Sequence, residues 1–292
     1  MMKVSTVFPK IAQLITGVAA MMAAAPSQAQ MAPPAGGGQM AAPPTQAQTS
    51  QKPTIVLVHG AFAESSSWEG VIRLLQAEGY PVIAWANPLR GVTRDSIYLA
   101  NLIDTIKGPV VLVGHSFSGM LISNAATGKD NVRALVFVAA LAPDAGETAN
   151  DLLSKYPGGT SGSALGPPVT LVNGAHDLYV QPEKFPAQFA ADVPAATAKL
   201  MAATQRPIVD TAFGEPSGPP AWRSIPSWFI HGTGDKNLPI PTVEFMAKRA
   251  GAKKVVEIKG ASHLLQVSHP EETAKLIVEA AQQTLVASVQ GS

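Results

Sequence analysis

Continuous apolar runs, rather than alternating ones, decide which folds are open to this chain. Thr54-Ile55-Val56-Leu57-Val58, Pro81-Val82-Ile83-Ala84-Trp85, Pro109-Val110-Val111-Leu112-Val113, Ala134-Leu135-Val136-Phe137-Val138-Ala139, Ser227-Trp228-Phe229-Ile230 and Lys254-Val255-Val256-Glu257-Ile258 each read as a strand. A strand that is apolar on both faces has to be covered on both. Amphipathic helical patterns fill the gaps, over residues 68–78, 94–107 and 120–127, with a last one from 271 to about 287. Strand and helix in alternation predict an α/β fold, a mostly parallel sheet flanked by helices. In such a sheet the carboxyl ends of the strands share one edge, and sites assemble there.

The alternation breaks between Pro143 and Arg223. That stretch is rich in Pro, Gly and Ala and carries only short helical segments, 182–190 and 195–204. An insertion this long after a sheet strand predicts a mainly helical lid over a site or a binding surface, with a purely structural excursion as the plain alternative. Ahead of the first strand, Lys3 and Lys10 precede an apolar stretch from Ile11 to Ala25 and then Ser27-Gln28-Ala29. This order reads as a secretory signal over residues 1–29, cut after Ala29, and predicts a periplasmic or secreted product. As a retained membrane anchor the stretch is short, because spanning takes roughly 20 apolar residues. Residues 30–51 carry no charge and no apolar period, so 30–52 is expected to be a disordered linker and 53–288 the folded domain.

Net charge is +1 and charged residues make up 14% of the chain, which leaves no electrostatic footprint for nucleic acid or an anionic membrane. No later apolar run is long enough to span a bilayer, so no stable membrane insertion is expected after processing. The chain has no cysteine, which removes disulfides, thiolate catalysis and Cys-ligated metals together. The histidines show no metal-ligand spacing, and no metal is expected. Oligomeric state is not legible.

Gly114-His115-Ser116-Phe117-Ser118-Gly119 directly follows the Val110 strand. A serine flanked by small residues, where a buried strand turns sharply into a helix, is what a nucleophile elbow requires. The turn forces the serine into a strained conformation and lifts its hydroxyl above the sheet. Ser118 stands where glycine is usual, and its expected role is tight packing. Taken alone, the hexapeptide also fits an ordinary turn.

A serine hydroxyl needs a base within hydrogen-bond reach and a third group to orient that base. Two later strand ends supply them. His231-Gly232-Thr233-Gly234-Asp235 follows the Ser227 strand, and Lys259-Gly260-Ala261-Ser262-His263 follows the next. Ser116, Asp235 and His263 thus reach a common edge in the order nucleophile, acid, base. Asp144 is a competing acid, although Pro143 and Gly146 suit a turn into the lid; Asp177 falls inside the lid. The oxyanion of an acyl transfer is expected to meet the amides of Phe117, next to the nucleophile, and Ala61, in the loop after the first strand. Ser66 or Ser67 is expected to cap the helix after Trp68. His115 reads as structural, and His59, His176, His231 and His269 have no catalytic role. Leu178, Tyr179, Phe185, Phe189, Phe213 and Trp222 are candidate lid walls for an apolar pocket, or plain lid core.

Val58-His59-Gly60-Ala61, Trp68, Gly114-His115-Ser116, Ala142-Pro143-Asp144, Asp235 and Ser262-His263, followed by Ser268-His269-Pro270, resemble the α/β-hydrolase superfamily. Within it the chain looks like the small-lidded branch with methylesterases, hydroxynitrile lyases and many bacterial α/β hydrolases. The resemblance runs from about Pro53 to Ala287. It implies a Ser116-His263-Asp235 triad, a lid over about 143–223 inserted before the strand that carries the acid, and no cofactor. Lyase members carry a lysine right after the catalytic histidine; Leu264 stands there, which disfavours cyanohydrin cleavage. Hydrolysis of a small-molecule ester is the simplest expectation. Perhydrolase or cofactor-free haloperoxidase chemistry uses the same triad, and a ligand-binding protein of this fold with little turnover is the non-enzymatic alternative.

Overall fold

The computed structural model describes residues 51–290, with side chains described through residue 285; the expected signal segment and most of the expected linker lie outside the described residues. Strand β1 (Thr54–Val58) leads through a 3-10 turn at Ser65–Trp68 into helix α1 (Glu69–Ala77). Strand β2 (Val82–Trp85), helix α2 (Val92–Thr105), strand β3 (Val110–His115), helix α3 (Ser118–Ala125) and strand β4 (Val132–Val138) continue the alternation. Neither Ser66 nor Ser67 caps α1, contrary to expectation. The 3-10 turn carries the chain into the helix, so Trp68 occupies the N-cap position and no side chain bonds there.

The insertion follows β4. It contains helix α4 (Ala149–Ser154), strands β5 (Val169–Thr170) and β6 (His176–Leu178), helices α5 (Phe185–Phe189) and α6 (Ala195–Thr204), and strand β7 (Ile208–Val209). Strands β5, β6 and β7 pair as a small antiparallel sheet that the sequence reading did not foresee. The domain resumes with strand β8 (Ser227–Gly232), helix α7 (Ile240–Arg249), strand β9 (Lys254–Ile258), the short helix α8 (Leu265–Ser268) and helix α9 (Pro270–Gln290).

Strands β2, β1, β3, β4, β8 and β9 form one sheet in that order, with every pairing parallel. Successive side chains alternate between two buried layers, as the pleat demands. Val56, Val58, Leu112, Leu135 and Phe137 face α2, α3 and the insertion, whereas Ile55, Leu57, Val111, Val113, Val136 and Ile230 face α1 and α9. Each such side chain, taken fully out of water, contributes about 1.5–3 kcal/mol. On the first face Phe137 and Phe229 stack at 4.5 Å across the adjacent strands β4 and β8. With β1, β3, β4 and β8 buried on both faces, the loops at the carboxyl edge are where a site can assemble.

Candidate active site

Ser116 sits where β3 ends and α3 begins, with φ at 55°, in the left-handed region that a side chain adopts only when its surroundings hold it there. Its N–H donates to Val138 O at 3.1 Å, and its carbonyl accepts from Gly119 at 3.1 Å and Leu141 at 3.0 Å. The neighbours explain the small residues. A Cβ on Gly114 would lie 2.8 Å from Ser118 O, and one on Gly119 only 2.1 Å from Leu141 O. Gly119 makes the closest approach on the helix side of the turn, and Ser118 beside it is fully buried, with its carbonyl packed against Gly114.

His263 Nε2 lies 2.8 Å from Ser116 Oγ, and its Nδ1 lies 2.7 Å from Asp235 Oδ2. Because the carboxylate can only accept, Nδ1 carries the proton and Nε2 is left to accept from the serine hydroxyl. The other oxygen of Asp235 accepts from the amides of Asn237 at 2.7 Å and Leu238 at 3.1 Å, so the carboxylate is fixed from both sides. The acid and base loops meet backbone to backbone: Gly234 N–H donates to Ala261 O at 2.9 Å, and a Cβ on Gly232 would lie 2.2 Å from the same oxygen. All three residues singled out from the sequence thus converge. Asp144 does not join them. It pairs with Arg223, whose guanidinium holds its carboxyl below the usual range, and Asp177 pairs with Arg90 at 2.5 Å.

Ala61 and Phe117 line the same cavity as Ser116 and His263. Neither amide donates to a backbone carbonyl among the described residues, whereas the next amide along, that of Phe62, is taken up by Arg206 O at 3.0 Å. Both expected oxyanion donors are therefore free beside the nucleophile. The cavity measures about 50 Å³, enough for a few waters at roughly 10–15 Å³ each. Its walls are apolar, from Phe62, Phe117, Leu141, Leu153, Phe189 and Leu238 among others, with Ser161 and Asn237 the polar exceptions outside the catalytic pair. Of the lid side chains named as walls, Phe189 and Phe213 line it. Phe185 is buried behind Phe189, and the Trp222 indole is buried with its N–H on Pro143 O at 2.8 Å; both are lid core. Leu178 and Tyr179 lie outside the lining, where β6 and the residue after it pair within the lid.

The remaining histidines are structural. His115 is fully buried, donates from Nε2 to His263 O at 3.0 Å and packs edge-on to Trp68; burial, and then the charge of His263, hold it neutral far below its ordinary range. His59 is also buried, which lowers its pKa to about 4. Its Nδ1–H donates to Gly60 O at 3.0 Å and its Nε2 accepts from Asn87 N–H at 3.0 Å. His176 pairs with Asp210 in the lid, His269 with Asp192, and His231 is buried within β8.

Residues that sequence reading missed join the lid to the triad. Gln188, in α5, donates from Nε2 to Asn237 Oδ1 at 3.0 Å and Lys236 O at 3.1 Å, and its carbonyl accepts from Asn237 Nδ2 at 3.2 Å. The next residue, Phe189, accepts at its carbonyl from Leu264 N–H and Ser262 Oγ, both at 3.1 Å, and sets its ring edge-on to His263. Two consecutive residues of one short helix thus hold the acid loop and the base loop. Only Asn237, two residues past the acid, carried a signal that could have been read.

Among the described residues no group of three or more His, Asp or Glu side chains is placed to hold a metal ion. Residues 55–276 match the alpha/beta hydrolase family. The chain is 27% identical to an alpha-hydroxynitrile lyase of Arabidopsis thaliana, over 76% of this chain and 94% of that protein. It is 25% identical to polyneuridine aldehyde esterase of Rauvolfia serpentina, over 80% and 97%, and 28% identical to a pyrethroid hydrolase of Sphingobium wenxiniae, over 77% and 86%. The crystal structure of a polyneuridine aldehyde esterase variant superposes with a TM-score of 0.68 at 23% identity, covering 78% of this chain and 99% of that one. The strand order, the turn that carries Ser116 and these matches agree: the chain belongs to the alpha/beta hydrolase family, in the branch that holds methylesterases and hydroxynitrile lyases.

Proposed function

We propose that the protein is a carboxylesterase that hydrolyses a small, uncharged ester through an acyl-enzyme. The observation that carries this reading is the continuous hydrogen-bonded line from Ser116 Oγ through His263 to Asp235 beside two free amides. His263 Nε2 takes the hydroxyl proton as Ser116 Oγ attacks the ester carbonyl; Asp235 keeps the imidazole in its Nδ1–H tautomer and balances the charge it gains. The carbonyl oxygen becomes an oxyanion and receives the N–H groups of Ala61 and Phe117. Collapse breaks the C–O bond to the alcohol, which leaves with the proton from His263. Water then attacks the acyl-enzyme, His263 takes its proton, and the acid departs as Ser116 Oγ is reprotonated.

Apolar walls favour a neutral substrate. A buried leucine, Leu264, follows the base, with no cation there to receive a departing anion such as cyanide, which supports hydrolysis over lyase chemistry. The cavity of about 50 Å³ is far below the roughly 300 Å³ at which pockets for drug-sized ligands begin. Short acyl groups are therefore expected to turn over fastest. The signal reading of residues 1–29 makes this an exported enzyme in the same proposal, with Gln30 as the mature N-terminus. The test is hydrolysis of a p-nitrophenyl ester series from acetate to decanoate. Saturable turnover that declines with chain length is the expected result. Binding of such esters by a folded protein that never releases p-nitrophenol would favour a ligand-binding protein.

A further inference from the structure

We propose that Ser118 is a positioning residue for the oxyanion site, joining the segment that carries one donor to the segment that carries the other. The proposal rests on the esterase reading above. Phe117 precedes α3, and Ala61 lies in the loop after β1; the distance between their amides depends on whatever joins these two segments. Gly60 brings the loop against the nucleophile, since a Cβ there would lie 2.7 Å from both Ser116 Cβ and His115 O. Contact alone does not orient the amides.

Ser118 supplies a directional link. It is fully buried, follows Phe117 directly, and donates from Oγ to His59 O. Ser118 Oγ in turn accepts from Asn87 Nδ2 at 2.9 Å. Asn87, also fully buried, donates from Nδ2 to His59 O at 3.1 Å and from its backbone N–H to His59 Nε2 at 3.0 Å, while its Oδ1 accepts from Leu89 N–H at 3.1 Å. The hydroxyl at the start of α3 thus closes a ring of hydrogen bonds around the residue two before Ala61. His59 extends the ring by donating from Nδ1 to Gly60 O at 3.0 Å. In a trans peptide the N–H points opposite to the C=O, so that bond aims the Ala61 amide away from the imidazole.

Glycine at position 118 would keep the turn and lose the link. The close approach to Leu141 O falls on Gly119, which frees position 118 to carry a hydroxyl. A reacting group displaced by about 1 Å can cost on the order of 10²-fold in rate. Losing one of several bonds that fix the loop is expected to cost less, about 10-fold.

The experiment compares wild type with Ser118→Ala and Ser118→Gly. It measures kcat and KM on p-nitrophenyl acetate, inhibition by phenylboronic acid, whose tetrahedral serine adduct uses the oxyanion site, and Tm. The expected result is kcat and boronate affinity each lowered about 10-fold, with KM within about twofold and Tm close to wild type. Unchanged kcat and boronate affinity in both variants would overturn the proposal. So would losses shared evenly among kcat, KM and Tm, the mark of a residue that only packs. If Ser118→Ala does not fold, the smaller Ser118→Gly carries the same test. A wild-type protein that neither hydrolyses the ester nor binds the boronate would overturn the esterase reading itself, and this proposal with it.

Discussion

The sheet edge and the lid hold the two sides of the candidate site by different means. At the edge, the segments after β3, β4, β8 and β9 meet through backbone, with glycines at the closest approaches: Gly119 against Leu141, Gly232 and Gly234 against the loop of Ala261. The lid is held by a few backbone hydrogen bonds, among them Phe62 N–H to Arg206 O, Val209 N–H to Leu89 O and Leu264 N–H to Phe189 O, and by side chains. Arg90–Asp177, Arg206–Glu64 and Arg249–Glu147 join it to the body, and the Gln188–Asn237 pair joins it to the acid loop. Backbone contact tolerates almost no change, whereas partly exposed ion pairs are worth little one at a time. The rigid half is thus suited to chemistry, and the half that must admit an ester into a cavity of about 50 Å³ is the one where side-chain ties, removable one at a time, supplement the backbone ones.

Substitutions on the two sides should therefore fail differently. Ser116→Ala is expected to lower kcat/KM by at least about 10⁴-fold with Tm unchanged, since it removes the nucleophile and no packing; retention of wild-type turnover would refute the mechanism. Gly232→Ala pushes a methyl into Ala261 O and separates the acid loop from the base loop. It is expected to destabilise by about 3 kcal/mol and lower kcat about 10²-fold, read by urea unfolding and steady-state kinetics.

Acid should weaken the edge as well. His59 binds a proton at about pH 4 in the folded protein against an ordinary 6.5, so the unfolded chain binds it first. The stabilisation is complete above pH 6.5 and is lost as pH falls from 6.5 toward 4, a difference of about 3 kcal/mol. Burial lowers His115 and His231 in the same direction. Urea midpoints at pH 7 and pH 4.5 should show the loss, and His59→Gln should shrink it; equal midpoints in the wild type would contradict the buried neutral assignment.

On the lid side, Gln188→Met keeps the volume and drops the side-chain hydrogen bonds to the acid loop. A fall in kcat of about 10-fold with KM little changed is expected; a rise in KM alone would show that Gln188 shapes binding rather than the triad. Arg206→Gln, which leaves Glu64 half-buried without its partner, should cost about 1 kcal/mol or less in stability. A larger loss would make the lid as rigid as the edge and erase the contrast.

The same division explains what could be read beforehand. Ser116, Asp235 and His263 were legible because each follows a strand whose apolar run marks its end. Ser118 was read as packing because its partner, Asn87, lies on another segment and carries no pattern of its own. The lid sheet escaped notice because β5 and β7 have two residues each and show no period. An aromatic residue in a lid does not announce which side it faces: Phe189 lines the cavity and Phe185, four residues earlier, does not.

The most direct test of the account is labelling with a fluorophosphonate, read by intact mass and peptide mapping, on wild type and His263→Ala. The account predicts one adduct, on Ser116, formed rapidly in the wild type and at least about 10³-fold more slowly without the imidazole. No adduct on folded protein, or equal labelling in both, would contradict an activated serine at this site.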